Sequence, residues 1–332
     1  MAMCKVLMKI KPGTKTSSYM VEQDGKCFKL NVPNMIEGNE IELKELKLED
    51  LNPAWIERYK KWGKKWETKR ATLLEHLADY KKDTLKIERS GVWRCNEYAH
   101  ILPVGQEKRN LIDGAFSDAL NKMADSIPLH PSFGHLNSSQ AMCLNFMVPL
   151  LERGILLEYI KKSCPDAVRG AKLEEPTFEK IVDEKERTQF DFYCTTDTGE
   201  ILSFEFKYSE SDFSVMKDDE RHQEKFETIY KDRLAKHGIS IDKETFAADY
   251  QLWRNILYAG THQHTVFFVF PKFREDLKEA VEAAKEKCPA EIQQRIHCIC
   301  IDDWVEDLMK SDDTALKTHY EAFKEKYLPD IG

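Results

Sequence analysis

The sequence predicts an α/β protein with a mixed β-sheet that carries helices on both faces. The prediction rests on the order of elements in residues 137–301, which reads as a helix, three strands, a helix, a strand, a helix and a strand. A hairpin group followed by a crossover helix and further strands gives a mixed sheet flanked by helices. Hydrophobic residues make up 42% of the 332 residues, which is typical of a globular chain with a sizeable core.

The first predicted domain, residues 1–136, is an N-terminal β-hairpin and helical extension. The segment SYMVEQDGKCFKLNV predicts two strands around an Asp24-Gly25 turn, and NEIELKELKLEDL predicts a third strand. Residues 53–82 predict a long helix whose aromatic stripe is interleaved with lysine and arginine. Such a helix either packs its aromatic face in a core or binds nucleic acid. Substrate recognition and dimerisation are both open roles for this extension.

The second predicted domain, residues 137–332, contains the sheet. NSSQAMCLNFMVPLLERGILLEYIKKS predicts one buried helix with a serine N-cap. Strands are predicted at 178–184, 188–195 and 200–209, joined by short turns. TFAADYQLWRNILYAG predicts the helix that follows them, and HTVFFVFP predicts a buried strand.

Charged residues stand on one face of two neighbouring predicted strands that are otherwise aromatic. In EILSFEFKYS, the side chains of Glu205 and Lys207 oppose an apolar face. In TQFDFYCT, Asp191 opposes the phenylalanines. Because a short turn makes these strands hairpin neighbours, Asp191, Glu205 and Lys207 converge if the register permits. Glu-x-Lys spacing alone carries little information, since it recurs elsewhere in the chain, but only this pair has an all-aromatic opposite face.

Two carboxylates on one sheet face repel each other and raise each other's pKa, and a divalent cation removes that repulsion. Carboxylates with waters and phosphate oxygens suit Mg²⁺, with Mn²⁺ as a substitute. Such a cation polarises a phosphodiester and lowers the pKa of a bound water. Lys207 would then orient the attacking water or stabilise the charge that develops in the transition state. The alternative is a structural ion network on a solvated sheet face.

The residues FDFY and LSFEFKYSE resemble the D-x(n)-E-x-K signature of the PD-(D/E)xK nuclease superfamily. HLNSSQAMCLNF and YQLWRN are similar to segments of a bacterial, restriction-endonuclease-like subfamily within it. The resemblance covers roughly the C-terminal 200 residues and implies a restriction-endonuclease-like core. It implies that Asp191 and Glu205 bind the metal, that Lys207 is catalytic, and that the substrate is DNA. The superfamily's proline is absent, because Asp191 follows Phe190.

The same resemblance indicates residues around the metal. Members often place a metal-binding glutamate on the first helix, where this chain has Glu152 as a weaker candidate. Ser139 and Gln140 would instead bind phosphate at the helix N-terminus. Gln251 and Arg254 are three residues apart and share a helix face, so they would contact phosphate or water, or serve as ordinary surface residues.

The leading function is therefore a metal-dependent deoxyribonuclease, with endonuclease action expected. The second hypothesis is an inactive nuclease-like module that binds nucleic acid or a protein. A third reading uses the loop histidines His130 and His135 or the pair Cys298 and Cys300, without any accompanying triad or P-loop. A two-fold duplex site would favour a homodimer.

Composition places the expected protein in the cytoplasm and away from membranes. No run of about 18 apolar residues is present, and the N-terminus MAMCKVLMKIKPG lacks the apolar stretch of a signal peptide. Nine scattered cysteines without a CxxC pair favour reduced thiols over a zinc site. The net charge of −8 excludes a uniformly basic surface but allows a local basic patch.

Overall fold

The computed structural model describes residues 3–11, 16–23, 26–33, 40–42, 48–50, 53–217 and 219–331, with side chains described from residue 65 onward. The chain divides into two compact units, Met1–Lys64 and Lys65–Gly332. The long helix α1 (Pro53–Asp83) begins at the proline that the sequence indicated. The predicted aromatic and basic positions before residue 65 lie outside the described side chains.

The first unit contains a five-stranded antiparallel sheet. Its strands are β1 (Met3–Lys11), β2 (Thr16–Gln23), β3 (Lys26–Pro33), β4 (Glu40–Glu42) and β5 (Leu48–Asp50), in the order β4-β1-β2-β3-β5. The pairing of β2 with β3 confirms the predicted hairpin, while its Asp24-Gly25 turn lies outside the described residues. The predicted third strand is instead the two short strands β4 and β5, which pair at opposite edges of the sheet.

The second unit contains the mixed sheet. After the small hairpin β6 (Gly91–Trp93) and β7 (Asn96–Tyr98) come β8 (Leu173–Asp183), β9 (Thr188–Thr196), β10 (Ile201–Phe206), β11 (His264–Phe270) and β12 (Ile296–Cys300). The order is β12-β11-β10-β9-β8. The pairs β8–β9 and β9–β10 are antiparallel, whereas β10–β11 and β11–β12 are parallel, which confirms the predicted mixed sheet.

Helices cover both faces of this sheet. They are α2 (Ser117–Ser126), α3 (Ser139–Glu152), α4 (Leu156–Ser163), α5 (Glu220–Lys225), α6 (Lys231–Lys236), α7 (Lys243–Ala248), α8 (Tyr250–Ala259), α9 (Glu275–Lys285), α10 (Ala290–Gln293), α11 (Ile301–Leu308) and α12 (Thr314–Tyr327). One hydrophobic core joins Leu202, Phe204 and Phe206 to α1–α4, α11 and α12. A second core joins Val266 and Phe268 to α6–α10. The predicted α/β architecture is therefore confirmed.

Two helices that the sequence predicts as continuous are broken. The predicted helix over 137–163 is α3 and α4, which meet at 109°. Gly154 between them has φ +68°, a backbone conformation that glycine adopts without strain. The predicted helix before β11 is α7 and α8, because Asp249 leaves the helical region at φ −128° and ψ 53°. The second break makes α8 begin at Tyr250, just before Gln251.

Among the helices that the structure describes, none alone is long and apolar enough to cross a bilayer. Only α3 and α4 taken together reach that length and composition, as a bent pair.

Residues 65–136 pack in the same hydrophobic core as the sheet. Leu73 and Leu77 of α1 are fully buried in it, together with Phe133 and Leu136 of the loop before α3. The boundary between the two compact units therefore lies after residue 64. The predicted boundary after residue 136, which separates an extension from a nuclease-like domain by function, stays a prediction.

His319 on α12 links folding to pH. The ring is 4% exposed, and its Nε2 lies 2.7 Å from the carbonyl oxygen of Asn145. Burial lowers its pKa to about 4, so the unfolded chain takes up a proton below pH 6.5 that the native state does not. Stability is therefore lost as the pH falls from 6.5 toward 4.

We expect this histidine to contribute a loss of about 2 kcal/mol between pH 7 and pH 5. Urea unfolding of the wild type and His319→Gln at both pH values measures it, because the variant lacks the titrating ring. The variant should lose less stability on acidification. Equal pH dependence of the two proteins would contradict the assignment.

Candidate active site

Strand register brings Asp191 and Glu205 together. Phe204 of β10 pairs with Phe192 of β9, so the next step along the antiparallel ladder sets Glu205 opposite Asp191. The Phe206 N–H donates to Asp191 Oδ2 at 2.6 Å, so a side-chain carboxylate accepts the hydrogen bond that a backbone carbonyl would accept in a regular ladder. The register thus meets the condition on which the predicted convergence depended.

Glu205 lies in a hydrogen-bonded network with Lys207 and two amides of α8. Glu205 is 3% exposed and Lys207 is 5% exposed. The Lys207 ammonium is 3.2 Å from Glu205 Oε1 and donates to Gln251 Oε1 at 2.5 Å. Gln251 Nε2 donates to the same Glu205 oxygen at 2.6 Å, and Asn255 Nδ2 donates to Oε2 at 3.0 Å. Gln251 and Asn255 are four residues apart and face the strand from one side of α8.

The charges of this network perturb one another. Burial raises the pKa of Asp191 well above its usual range, and repulsion from Glu205 and Glu179 raises it further. Burial also raises the pKa of Glu205, although the Lys207 ammonium opposes this. The pKa of Lys207 is raised despite its burial, because Glu205, Glu210 and Asp191 attract the positive charge. Lys207 therefore stays protonated, while the carboxylates of Asp191, Glu205 and Glu179 repel one another.

A third carboxylate, Glu179, was not singled out from the sequence. It lies on β8 between the pairs Phe178–Phe192 and Lys180–Phe190, opposite Asp191, with φ +56°. Its oxygens accept from Gln140 Nε2 and Gln189 Nε2, both at 2.7 Å. Burial, with the charge of Glu205, raises the pKa of Glu179 to about 7.

The start of α3 lies against these carboxylates. Ser138 is the N-cap, as the sequence allowed, and its Oγ accepts from the Ala141 N–H. Gln140 donates to Glu179 and accepts from the His130 N–H at 2.8 Å. Ser139 hydrogen-bonds Glu210, a second acid that the sequence reasoning missed. The pKa of Glu210 is lowered despite burial, chiefly by Lys207, so this acid adds an anion beside the lysine.

The structure does not bring Glu152 and the Arg254 guanidinium into this cluster. Glu152 ends α3, twelve residues after Gln140, which is about 18 Å along the helix axis. Arg254 Nη2 donates to Thr188 Oγ1 at 2.9 Å and its guanidinium lies over the Tyr250 ring, so it flanks the site.

The loop histidines have ordinary partners. His130 Nδ1 is 2.7 Å from Ser132 Oγ. His135 packs at a right angle to the Trp93 ring, and its Nε2 is the exception, because it is buried without a hydrogen-bond partner among the described residues.

Two carboxylates of this site, those of Asp191 and Glu205, are suitable ligands for a hard divalent cation such as Mg²⁺. Among the described residues no group of three or more His, Cys, Asp or Glu side chains converges to hold a metal ion. Mg²⁺ needs fewer protein ligands, since it keeps several waters and binds through one or two carboxylates. Asp191 and Glu205 supply two, and their mutual repulsion is what a cation would relieve.

This fold, with its buried acidic site on central strands, defines a restriction-endonuclease-like protein. Residues 74–328 match the family described as Restriction Endonuclease associating with ARP, and the chain belongs to that family. Neither comparison with curated proteins nor comparison with solved structures gives a match. Membership supports the restriction-endonuclease-like part of the sequence resemblance. Placement in the PD-(D/E)xK superfamily stays a prediction.

Replacing Asp191 with Asn should stabilise the protein in the absence of divalent ions. Because its folded pKa is raised, Asp191 costs stability as the pH rises through that pKa. Asn removes the charge and keeps an oxygen for the Phe206 N–H. We expect a higher melting temperature for Asp191→Asn in EDTA, with a larger gain at pH 7 than at pH 4, where the unfolded carboxyl begins to ionise.

Asp312→Asn, at an exposed acid before α12, is the matched control and should change the melting temperature little. A lower melting temperature for Asp191→Asn than for this control would show that burial and repulsion do not destabilise the ionised carboxylate.

Proposed function

We propose that the chain is a metal-dependent deoxyribonuclease that hydrolyses phosphodiester bonds in DNA as an endonuclease. One observation carries the proposal: Glu205 on β10 and Lys207 just after it are buried, and the partly buried Asp191 lies opposite Glu205 on the neighbouring strand β9. A buried ion network is weak evidence for stability, because desolvation offsets the attraction between charges. Strongly perturbed pKa values in such a cluster are typical of functional sites.

Asp191 and Glu205 would hold Mg²⁺ or Mn²⁺. The cation supplies Lewis-acid polarisation of the phosphodiester and lowers the pKa of the attacking water when it is bound. To hold the cation, Glu205 would give up part of its hydrogen bonding to Gln251 and Asn255, which are neutral donors, while the Lys207 ammonium stays beside its Oε1.

Lys207 would stabilise the charge that develops on the phosphoryl oxygens. Its raised pKa keeps the ammonium protonated at neutral pH, so it acts as a donor and not as a base. Gln251 positions it, because its Oε1 accepts from the ammonium while its Nε2 holds Glu205. One amide thereby fixes the spacing of both charged groups.

Ser139 would contact a substrate phosphate at the N-terminus of α3, a 14-residue helix. Gln140 already donates to Glu179 and would act on the site through that acid. Glu152 has no role in this proposal, because the structure leaves it at the far end of α3.

The proposal extends to the superfamily, the cellular location, the oligomeric state and the partner of the protein. We assign the chain to the PD-(D/E)xK superfamily and to a cytoplasmic location, with duplex DNA favouring a homodimer. The family's description names association with ARP, and association with such a partner is part of the proposal.

Lys207→Met tests the assigned chemistry. We expect the wild type to cut plasmid DNA with Mg²⁺ or Mn²⁺ and the variant to be slower by about 10²- to 10³-fold, since a buried transition-state donor is lost. Methionine keeps much of the side-chain volume, and melting curves check the fold. The matched control is Lys317→Met on an exposed lysine of α12, which should cut as the wild type does.

Equal cleavage by wild type and Lys207→Met would remove Lys207 from the reaction. A folded wild type that binds DNA and Mn²⁺ but cuts neither plasmid nor single strands would favour the inactive nuclease-like module.

A further inference from the structure

Cationic side chains gather where the β8–β9 turn, α5 and α8 meet. Arg187 lies in the turn, and its two chain neighbours are each bound by a cation. Lys225 of α5 donates to the carbonyl oxygen of Glu186 at 2.8 Å. Arg254 of α8 donates to Thr188 Oγ1 at 2.9 Å. The turn is therefore held between a lysine and an arginine.

Arg221 adds a fourth charge from α5. It precedes Lys225 by four residues, so both lie on one helix face, and like charges at this spacing destabilise a helix. Burial lowers the pKa of Lys225, and repulsion from Arg221 and Arg254 lowers it further. We call Arg187, Arg221, Lys225 and Arg254 the basic cluster.

Glu186, a buried anion beside the basic cluster, attracts Lys225 but makes the direct contacts of its carboxylate outside the cluster. Glu186 is 2% exposed, and its carboxylate is fully engaged elsewhere. Its Oε1 pairs with Arg233 at 2.5 Å, and its Oε2 accepts from Tyr258 at 2.6 Å and from Thr188 at 2.7 Å.

Exposed members of the cluster lack an internal counter-charge. Arg187 and Arg221 are exposed, and within the described side chains neither forms an ion pair. Glu220 and Glu224 also lie on α5, one position earlier and thus on the neighbouring stripe of the helix.

The basic cluster lies next to the candidate active site. Thr188 precedes Asp191 by three residues on β9, about 10 Å along the strand. Arg254 follows Gln251 by three residues on α8, about one helical turn. An extended polyanion on the cluster would therefore reach the carboxylates.

The backbone around the basic cluster has two unusual features. Arg187 has φ +58°, a conformation that costs free energy for any residue other than glycine. A π-helical turn, Phe226–Tyr230, directly follows Lys225, and such turns are frequent at functional sites. The sequence thus keeps an arginine where glycine would be less strained.

We propose that the basic cluster is a phosphate-binding surface that holds the backbone of a DNA strand beside the carboxylates. The inference rests on the proposed function for its choice of ligand. The cations bind successive phosphates, release condensed counterions and position the strand without reading its sequence. Arg254, which flanks the candidate active site, would bind phosphate as part of this surface.

The test measures DNA binding in EDTA, where cleavage does not interfere. Anisotropy of a labelled duplex is recorded between 50 and 200 mM salt for the wild type and for Arg187→Gly/Arg221→Gln. Each lost phosphate contact lowers the slope of log K against log salt by about 0.9. We expect a slope smaller by about 2 and binding at least about tenfold weaker at low salt.

Two controls separate charge from fold. Glycine accepts the φ of Arg187, so Arg187→Gly alone should melt at or above the wild-type temperature. Lys317→Gln/Lys324→Gln removes the same charge from exposed positions on α12 and should leave the slope unchanged.

The outcomes distinguish the surface from the nuclease activity. A slope that stays at the wild-type value in Arg187→Gly/Arg221→Gln, or falls equally in the α12 control, overturns the surface even if the wild type cuts DNA. A selective fall in a protein that cuts nothing supports the surface and removes the nuclease proposal. A wild type without salt-dependent binding overturns the surface, and its cleavage assay then decides the nuclease proposal separately.

Discussion

Glu205 and Lys207 place opposite charges side by side between β10 and α8, both almost inaccessible to water. Removing these charges from water is costly unless every oxygen and proton finds a partner. The pair therefore constrains its surroundings: β10 must lie in the sheet interior, and α8 must direct Gln251 and Asn255 at the strand. The break at Asp249 satisfies the second requirement, because it lets α8 begin one residue before Gln251.

The partners of the carboxylates share one chemical property. Glu179 is held by the amides of Gln140 and Gln189, and Glu205 by those of Gln251 and Asn255. Amides satisfy hydrogen bonds but cancel no charge. Burial raises the pKa values of Asp191, Glu205 and Glu179, and repulsion between acids raises those of Asp191 and Glu179 further. Lys207 is the buried cation of the network, and the acids outnumber it. This excess of negative charge is the physical basis for proposing a divalent cation here.

Strand alternation made the centre of the site predictable. Asp191, Glu205 and Lys207 interrupt aromatic strands, and a short turn between those strands restricts their register. Glu179 was missed because β8 lies at the sheet edge, where charged residues alternating with apolar ones are ordinary. Glu210 was missed because it follows the end of β10, where no periodicity places a side chain.

Helix breaks were missed for a different reason. Apolar periodicity continues through Arg153-Gly154 and through Asp249, so the pattern predicts single helices at both places. Backbone conformations at Gly154 and Asp249 decide the breaks, and they depend on packing against the sheet. Glu152 is a separate case, because α3 is unbroken between Gln140 and Glu152 and their twelve-residue spacing alone sets them about 18 Å apart.

Calorimetric titration with Mn²⁺ tests most directly whether the excess negative charge is a cation site. Wild type, Lys207→Met and Asp191→Asn are titrated without DNA under identical conditions. The account predicts that the wild type and Lys207→Met bind Mn²⁺, because both carboxylates remain, and that Asp191→Asn does not. Absence of binding to the wild type, or equal binding to Asp191→Asn, would show that Asp191 and Glu205 are structural and contradict the account.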